Sequence, residues 1–429
     1  MKYAPIDPAL FVQNRTRLAS RLRKHSIAIL TAADIMPRSA DGVLPFIQNS
    51  DLFYLTGVEQ EDTMLILFPD AADEKHREVL FLKETTEQIR IWDGDKLTIE
   101  QAQQATGIKT VLWNHEFPLL LRTLVMQAET IYLPINEHLR AVQTVETADQ
   151  KFVKHCREQF PLHHYERLAP LLYELRCIKS QPEIALLQEA CNMTDHGFRR
   201  LLGFVRPGVW EYEIEAELAH EWMRRRSRGF AYPPIIASGL NACVLHYVTN
   251  DHQCQDGDLL LLDVAAEYAN YNADMTRTIP VNGRFTKRQR EVYNAVLHVL
   301  RACYPLLKPG TQLRDYQKQV EAIMQEQLLM LGLLKSEEVA KQNPDKPLLK
   351  QYFPHGTSHH LGLDVHDVSP PHHALRAGMV LTVEPGIYIR EENLGVRLEN
   401  DVLITDHGVI DLMGHIPIEA EQIEDLMNA

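Results

Sequence analysis

Two pairs of acids occupy places where an apolar strand has no use for charge. The first lies in GDLLLLDVAAEYANYNADMTRTIPV, residues 257–281, where Asp263 ends one apolar run and Asp274 begins the next. A hairpin centred on Glu267–Asn270 sets these two opposite each other, with Cβ atoms about 4.5–5.5 Å apart. The second pair lies in GMVLTVEPGIYIREENLGVRLENDVLITD, residues 378–406, where the same arithmetic around Glu391–Asn393 opposes Glu384 and Glu399. Opposed like charges repel unless something positive lies between them. A third stretch, FPHGTSHHLGLDVHDVSPPHH, places His355, His359, His360, His366, His372 and His373 within 21 residues. Taken singly, each acid reads as a solvated strand-end residue and the histidines as a polar loop. Taken together, they read as an ion site. Carboxylates are hard oxygen ligands, and an added imidazole moves the preference toward Mn, Co, Fe or Zn. Four carboxylates overcharge a single divalent ion. Two ions about 3.5–4 Å apart balance them and share a bridging water.

The elements that must position these residues are legible in outline. In the first half, SIAILTAAD, TMLILFPD, VLFLKE and TIYLPI are short apolar runs closed by turn residues, hence strands. FVQNRTRLASRLRKH has helical spacing. Residues 145–180 read as helical and contain the domain boundary, and SQPEI carries a helix start with Ser180 as cap and Glu183 three residues on. Helices are expected over 181–203 and 211–227, then a β-rich block over 232–282. Two more helices are expected over 286–305 and 312–332, and a second β-rich block over 353–413. The second half thus repeats helix, helix, strands, without sequence identity between the copies.

Composition narrows the class. The chain has 429 residues, 45% apolar and 24% charged, with a net charge of −14. That is a soluble globular composition, and the negative balance argues against nucleic acid and anionic membrane surfaces as partners. No run approaches the length of a membrane span. The opening MKYAPIDPALFVQNR lacks an apolar signal core, and six scattered cysteines without a CxxC pair suggest reduced thiols, so a cytoplasmic protein is expected.

HGTSHHLGLDVHD, LLLLDVAAEYANYNADMTRT, LTVEPGIYI and GVRLENDVLIT resemble the motifs of the aminopeptidase P and prolidase group, the creatinase-like pita-bread metallopeptidases. The resemblance spans nearly the whole chain. QNSDLFYLTGV is similar to the family's N-terminal domain and IPIEAEQIEDLM to the tail of aminopeptidase P. It implies an α+β chain: a smaller α/β creatinase-like domain with a helical linker over 1–172, then a pita-bread catalytic domain over 173–429. It implies five metal ligands, Asp263, Asp274, His359, Glu384 and Glu399, holding two divalent ions, in aminopeptidase P usually manganese. Asp274 and Glu399 would bridge the ions, Asp263 would hold one, and His359 and Glu384 the other.

The same resemblance implies further roles. His246 and His366 would donate to the scissile carbonyl or its oxyanion. For His246 the plain alternative is a core histidine on an apolar strand. His355 and Tyr388 would line the pocket for proline. Arg397 shares a strand face with Glu399 and would orient it and shape the product side; the plain alternative is a surface ion pair. Glu384 would also carry the proton. Trp92, in IRIWDG, matches an aromatic that a neighbouring subunit contributes; the plain alternative is a partly buried strand residue. His360 stands where the family often has a bulky aromatic, and His372 and His373 match no functional position.

The implied function is an exopeptidase acting on peptides with proline second, by a metal-bridging hydroxide, assembled as a homodimer or homotetramer. Prolidase is the alternative, but many prolidases carry a longer insertion between the residues matching Glu384 and Glu399. A non-catalytic binding module of this fold is less favoured, because all five ligand positions are kept. No GxSxG, HExxH or GxGxxG motif points to another enzyme class.

Overall fold

The first helix begins before its apolar spacing predicts, at Pro8–Ala19, because Asp7 caps it: its carboxylate accepts from the Ala9 N–H at 2.9 Å. The computed structural model describes residues 3–429, which pack as two units divided between Arg176 and Cys177. The family resemblance implies a boundary four residues earlier, at 172/173.

The N-terminal unit is built on a six-stranded mixed sheet. Its order is Thr110–Trp113, Glu78–Leu82, Met64–Leu67, Ser26–Thr31, Thr130–Leu133, His164–Arg167. The inner strands are nearly continuous apolar runs, and Ile27, Ile29, Ile66, Val79, Phe81 and Ile131 form the core with Phe117, Leu121 and Leu124 of one helix. The expectation of continuous helix over 145–180 is corrected here. Helix Ala148–Gln159 stops before Pro161, which cannot supply the next N–H, and His164–Arg167 pairs parallel to Thr130–Leu133 as an edge strand.

In the C-terminal unit, helices Gln181–Leu202 and Glu211–Arg224 precede an antiparallel sheet of Ile235–Ser238, Leu259–Asp263 and Thr276–Pro280. Helices Lys287–Cys303 and Leu313–Met330 then precede a sheet of Val380–Val383, Asn400–Thr405 and Gly408–Asp411, with the hairpin Gly386–Ile389/Leu394–Arg397 extending its first two strands. The repeat of helix, helix, strands is therefore present in the fold. The Ser180 N–H donates to Glu183 at 2.8 Å, closing the expected helix start. The two halves meet strand to strand: Glu399 N–H donates to Thr276 O at 3.0 Å, and Arg397 N–H to Thr278 Oγ1 at 3.2 Å.

Both β-rich blocks are more broken than expected. Residues 239–243 form a 3-10 turn, and the chain to Gly257 is irregular. In the second block the strands start only at Val380; the histidine-rich stretch before it, rich in Pro and Gly, has no regular structure beyond the bridge of His360 to Leu381.

Candidate active site

The two acid hairpins fold with different fidelity to their predicted registers. Val383 pairs with Asn400 and Gly386 with Arg397, so Glu384 and Glu399 stand directly opposite, as expected. In the first hairpin Asp263 instead faces Thr276, not Asp274. The cause is the turn: Tyr268 pairs with Tyr271 across Ala269 and Asn270, which take φ of 53° and 67°, the doubly left-handed geometry of a tight hairpin turn. Asp274 is thus displaced by two residues along the partner strand. It stays on the face of Asp263, diagonal to it, because side chains alternate with a period of two.

Ligand atoms of Asp274, His359 and Glu399 lie within 4.8 Å of one another. His359 Nε2 is 3.4 Å from Asp274 Oδ2 and 3.6 Å from Glu384 Oε1. Its Nδ1 is 2.9 Å from the His360 carbonyl. A carbonyl only accepts, so Nδ1 carries a proton and Nε2 is the nitrogen turned toward the acids. Asp263 is held by two donors, Tyr232 OH and Arg397 Nη2, each at 2.7 Å. Thr276 Oγ1 donates to Glu399 Oε2 at 2.7 Å.

The electrostatics of this group are short of positive charge. Burial, offset in part by Arg397, leaves Asp263 above the usual carboxylate range. Burial and the neighbouring acids push Glu384 to about 7 and Glu399 well up. Burial lowers the His359 imidazole, but the hydrogen bond to Asp274 and the charge of Glu384 outweigh it, and the ring is raised to about 9. A donor set of carboxylate oxygens plus one imidazole nitrogen, crowded and underneutralised, fits divalent cations.

Of the other expected residues, His366, His355, Tyr388 and Arg397 adjoin this group. His366 lies on the irregular stretch, its ring edge-on to His359 at 4.4 Å between centroids. His355 Nε2 is 2.9 Å from Tyr388 OH, and Nδ1 is 2.7 Å from the Gly356 carbonyl. Burial lowers this imidazole to about 4, so it is neutral, with its proton on Nδ1. Tyr388 OH in turn accepts from Arg397 Nη1 at 2.8 Å. Arg397 is 4% exposed, so the surface ion pair is excluded. It reaches Glu399 through Thr276, whose hydroxyl accepts from Nε at 3.1 Å, and its strongest hold is on Asp263. His246 is exposed and follows the 3-10 turn, so it is neither in the core nor on a strand. Trp92 ends helix Glu87–Trp92 of the N-terminal unit and is 80% exposed, not a partly buried strand residue. His360 is buried against His373, their ring centroids 5.1 Å apart. His372 is exposed.

Sequence reasoning missed Tyr232, Thr276 and Asp401. Asp401 is fully buried; its Oδ2 accepts from the Asp274 N–H at 3.0 Å and from Cys191 Sγ at 3.5 Å. Strand alternation from Glu399 could have flagged it. Tyr232 lies in the irregular stretch ahead of the first strand and carried no signal.

Residues 185–406 match metallopeptidase family M24, and residues 11–132 match the aminopeptidase P N-terminal domain. The chain is 36% identical over 435 residues to Xaa-Pro aminopeptidase of Escherichia coli K12, covering 98% of this chain and 97% of that protein. It is 34% identical over 430 residues to Xaa-Pro aminopeptidase of Haemophilus influenzae, covering 97% of each. Human Xaa-Pro aminopeptidase 3 is 32% identical over 400 residues, covering 89% of this chain and 76% of that protein. Among solved structures, zinc-substituted E. coli aminopeptidase P with product superposes with a TM-score of 0.88 at 34% identity, covering 99% of each chain. The same enzyme with the inhibitor Pro-Leu gives the same values. With both domains matched in order and the fold shared end to end, this chain belongs to metallopeptidase family M24 and has the two-domain fold of aminopeptidase P.

Proposed function

We propose that this protein is an Xaa-Pro aminopeptidase: it hydrolyses the bond between the first residue of a peptide and a proline in the second position. The observation that supports this most is the convergence of Asp274, His359 and Glu399, with Glu384 directly opposite Glu399, in a chain of this family. Asp263, Asp274, His359, Glu384 and Glu399 would hold two divalent ions, manganese being the reading carried from the family resemblance. When bound, the ions supply positive charge for the crowded acids, polarise the carbonyl and activate water at neutral pH.

The chain's own residues then divide the work. Water attack on the scissile carbonyl releases a proton, which Glu384 takes and returns to the proline nitrogen as the bond breaks. His366 and His246 donate to the carbonyl oxygen as charge builds on it. Tyr232 and Arg397 fix both oxygens of Asp263, and Thr276 fixes Glu399, so the ligands need no rearrangement. His355 and Tyr388 form one wall for the proline ring; the neutral imidazole keeps that wall free of charge. The proline bond is a tertiary amide without an N–H, so recognition falls on the ring.

The short connection between Gly386–Ile389 and Leu394–Arg397 favours this activity over prolidase, since it carries no insertion to close on a free proline carboxylate. We further propose a homodimer or homotetramer in which Trp92 serves a neighbouring subunit. The six free cysteines fit a reducing cytoplasm. The test compares kcat/KM for Ala-Pro, Ala-Pro-Ala and a five-residue peptide with proline second. The two longer peptides are expected to be cleaved at least as well as Ala-Pro. Hydrolysis of Ala-Pro alone makes the protein a prolidase.

A further inference from the structure

The stretch from Phe353 to Met379 carries His355, His359 and His366, yet it has almost no regular structure. Its shape therefore depends on side chains. At its centre lies an ion pair closed to solvent. Lys179 Nζ donates to Asp367 Oδ2 at 2.9 Å, and each side chain is 1% exposed. Lys179 belongs to the segment entering helix Gln181–Leu202, and its N–H donates to Gly378 O at 2.8 Å, at the other end of the stretch. Asp367 follows His366 directly. Its own N–H donates to the His360 carbonyl at 2.9 Å, the same oxygen that accepts from His359 Nδ1. The packing there is tight: a Cβ on Gly362 would stand 2.2 Å from Asp367 Oδ2 and 3.0 Å from Lys179 Cε.

A buried charge pair is weak evidence for net stability, because desolvation offsets the attraction. Its distinctive effect is to select one geometry, since either charge alone in that site is strongly disfavoured. Here the selected geometry fixes His366 on one side of Asp367 and, through the shared carbonyl, the ring of His359 on the other.

We propose that Lys179 and Asp367 are positioning residues for the reaction: the buried pair locks the histidine-rich stretch so that His366 stands edge-on beside His359. This inference rests on the role given above to His366. The Asp367 side chain, 1% exposed, is shut off from anything bound in the cleft. Its effect on turnover runs through His366.

The experiment is a double-mutant cycle on the manganese-loaded enzyme, with kcat and KM for Ala-Pro-Ala measured separately. H366A is expected to lower kcat by about 100-fold, the scale for losing an oxyanion donor. D367N, which keeps the shape but removes the charge, is expected to lower kcat by about tenfold or more with KM little changed. In the H366A background, D367N is expected to cost less than about twofold further, because its effect runs through a residue already gone. K179M gives the same reading by removing the other half of the pair, should D367N fail to fold by circular dichroism. K179R, which restores the charge, is expected to recover most of the loss of K179M. The manganese affinity of D367N, titrated directly, is expected to fall as well, since His359 loses a restraint. Multiplicative losses in the double variant, or a D367N enzyme with normal kcat, overturn the positioning role. A normal H366A enzyme overturns the role of His366 itself, and this inference with it.

Discussion

Glu384 is the acid whose environment can be weighed most directly. Burial and the charges around it raise its carboxyl from 4.5 to about 7 in the metal-free protein. Between those values the folded chain binds a proton that the unfolded chain has released. The stability this provides is therefore present below about pH 4.5 and is lost as pH rises through 7. At about 1.4 kcal/mol per pH unit the interval is worth about 3 kcal/mol, an upper value because a fifth of the side chain meets solvent. His359 acts in the same direction one step later: raised from 6.5 to about 9, it loses its contribution as pH climbs through that range. The two effects share the attraction between these groups, so they do not simply add. The metal-free protein is thus expected to lose stability steadily from pH 5 to pH 9. Glu384→Gln removes the first leg. The variant is expected to be folded, nearly inactive, and more stable than the parent at pH 8 without metal by up to about 3 kcal/mol. Binding of manganese releases protons, so the loaded protein is expected to lose this slope. Urea unfolding at a series of pH values, read from the fully buried Trp222 in a background with Trp92, Trp113 and Trp210 replaced by Phe, measures each leg. Metal-free stability that rises from pH 5 to 7, or identical slopes for parent and Glu384→Gln, refutes the reasoning.

Stripping the protein with chelator is expected to abolish activity and manganese to restore it; full turnover by protein verified to be metal-free overturns the ion-dependent reading. Arg397→Met leaves Asp263 buried with Tyr232 as its remaining donor among the described contacts. A stability loss of about 3–5 kcal/mol is expected in the metal-free protein, smaller with manganese bound, and a thermal melt unchanged in both states shows that the pair contributes nothing.

Glu384 and Glu399 were readable because their connection is an ordinary one: counting outward from its midpoint gives the register that the strands adopt. The same count failed for Asp263 and Asp274 by two residues. Ala269 takes a left-handed conformation that alanine rarely adopts, and nothing in AEYANYN marks it as the turn residue. The plain alternative for His246, a core histidine on an apolar strand, failed for a different reason. VLHYV has strand-like letters, but it follows Gly239 at φ 54° and a 3-10 turn, and strand propensity loses to that local geometry. Arg397 was placed on the right strand, yet its hold on Asp263 and its relay through Thr276 to Glu399 depend on two halves of the unit meeting, which no local pattern encodes. The Lys179–Asp367 pair spans 188 residues and was invisible for the same reason.

Gly395 sits in the strand that carries Arg397, with backbone angles any residue could adopt. A Cβ there would nonetheless stand 2.4 Å from the carbonyl oxygen of Ala242, four residues before His246. Tyr388 faces Gly395 across the hairpin. The wall that would receive proline and the loop that carries His246 are therefore seated against each other by contact, and Cys243 Sγ donates to the neighbouring Leu394 carbonyl at 3.5 Å. Any side chain at position 395 would wedge them apart and widen the cleft from behind. The spacing at this contact is set by an atom that glycine lacks, so a single methyl group at position 395 is enough to push the Ala242 backbone off the hairpin.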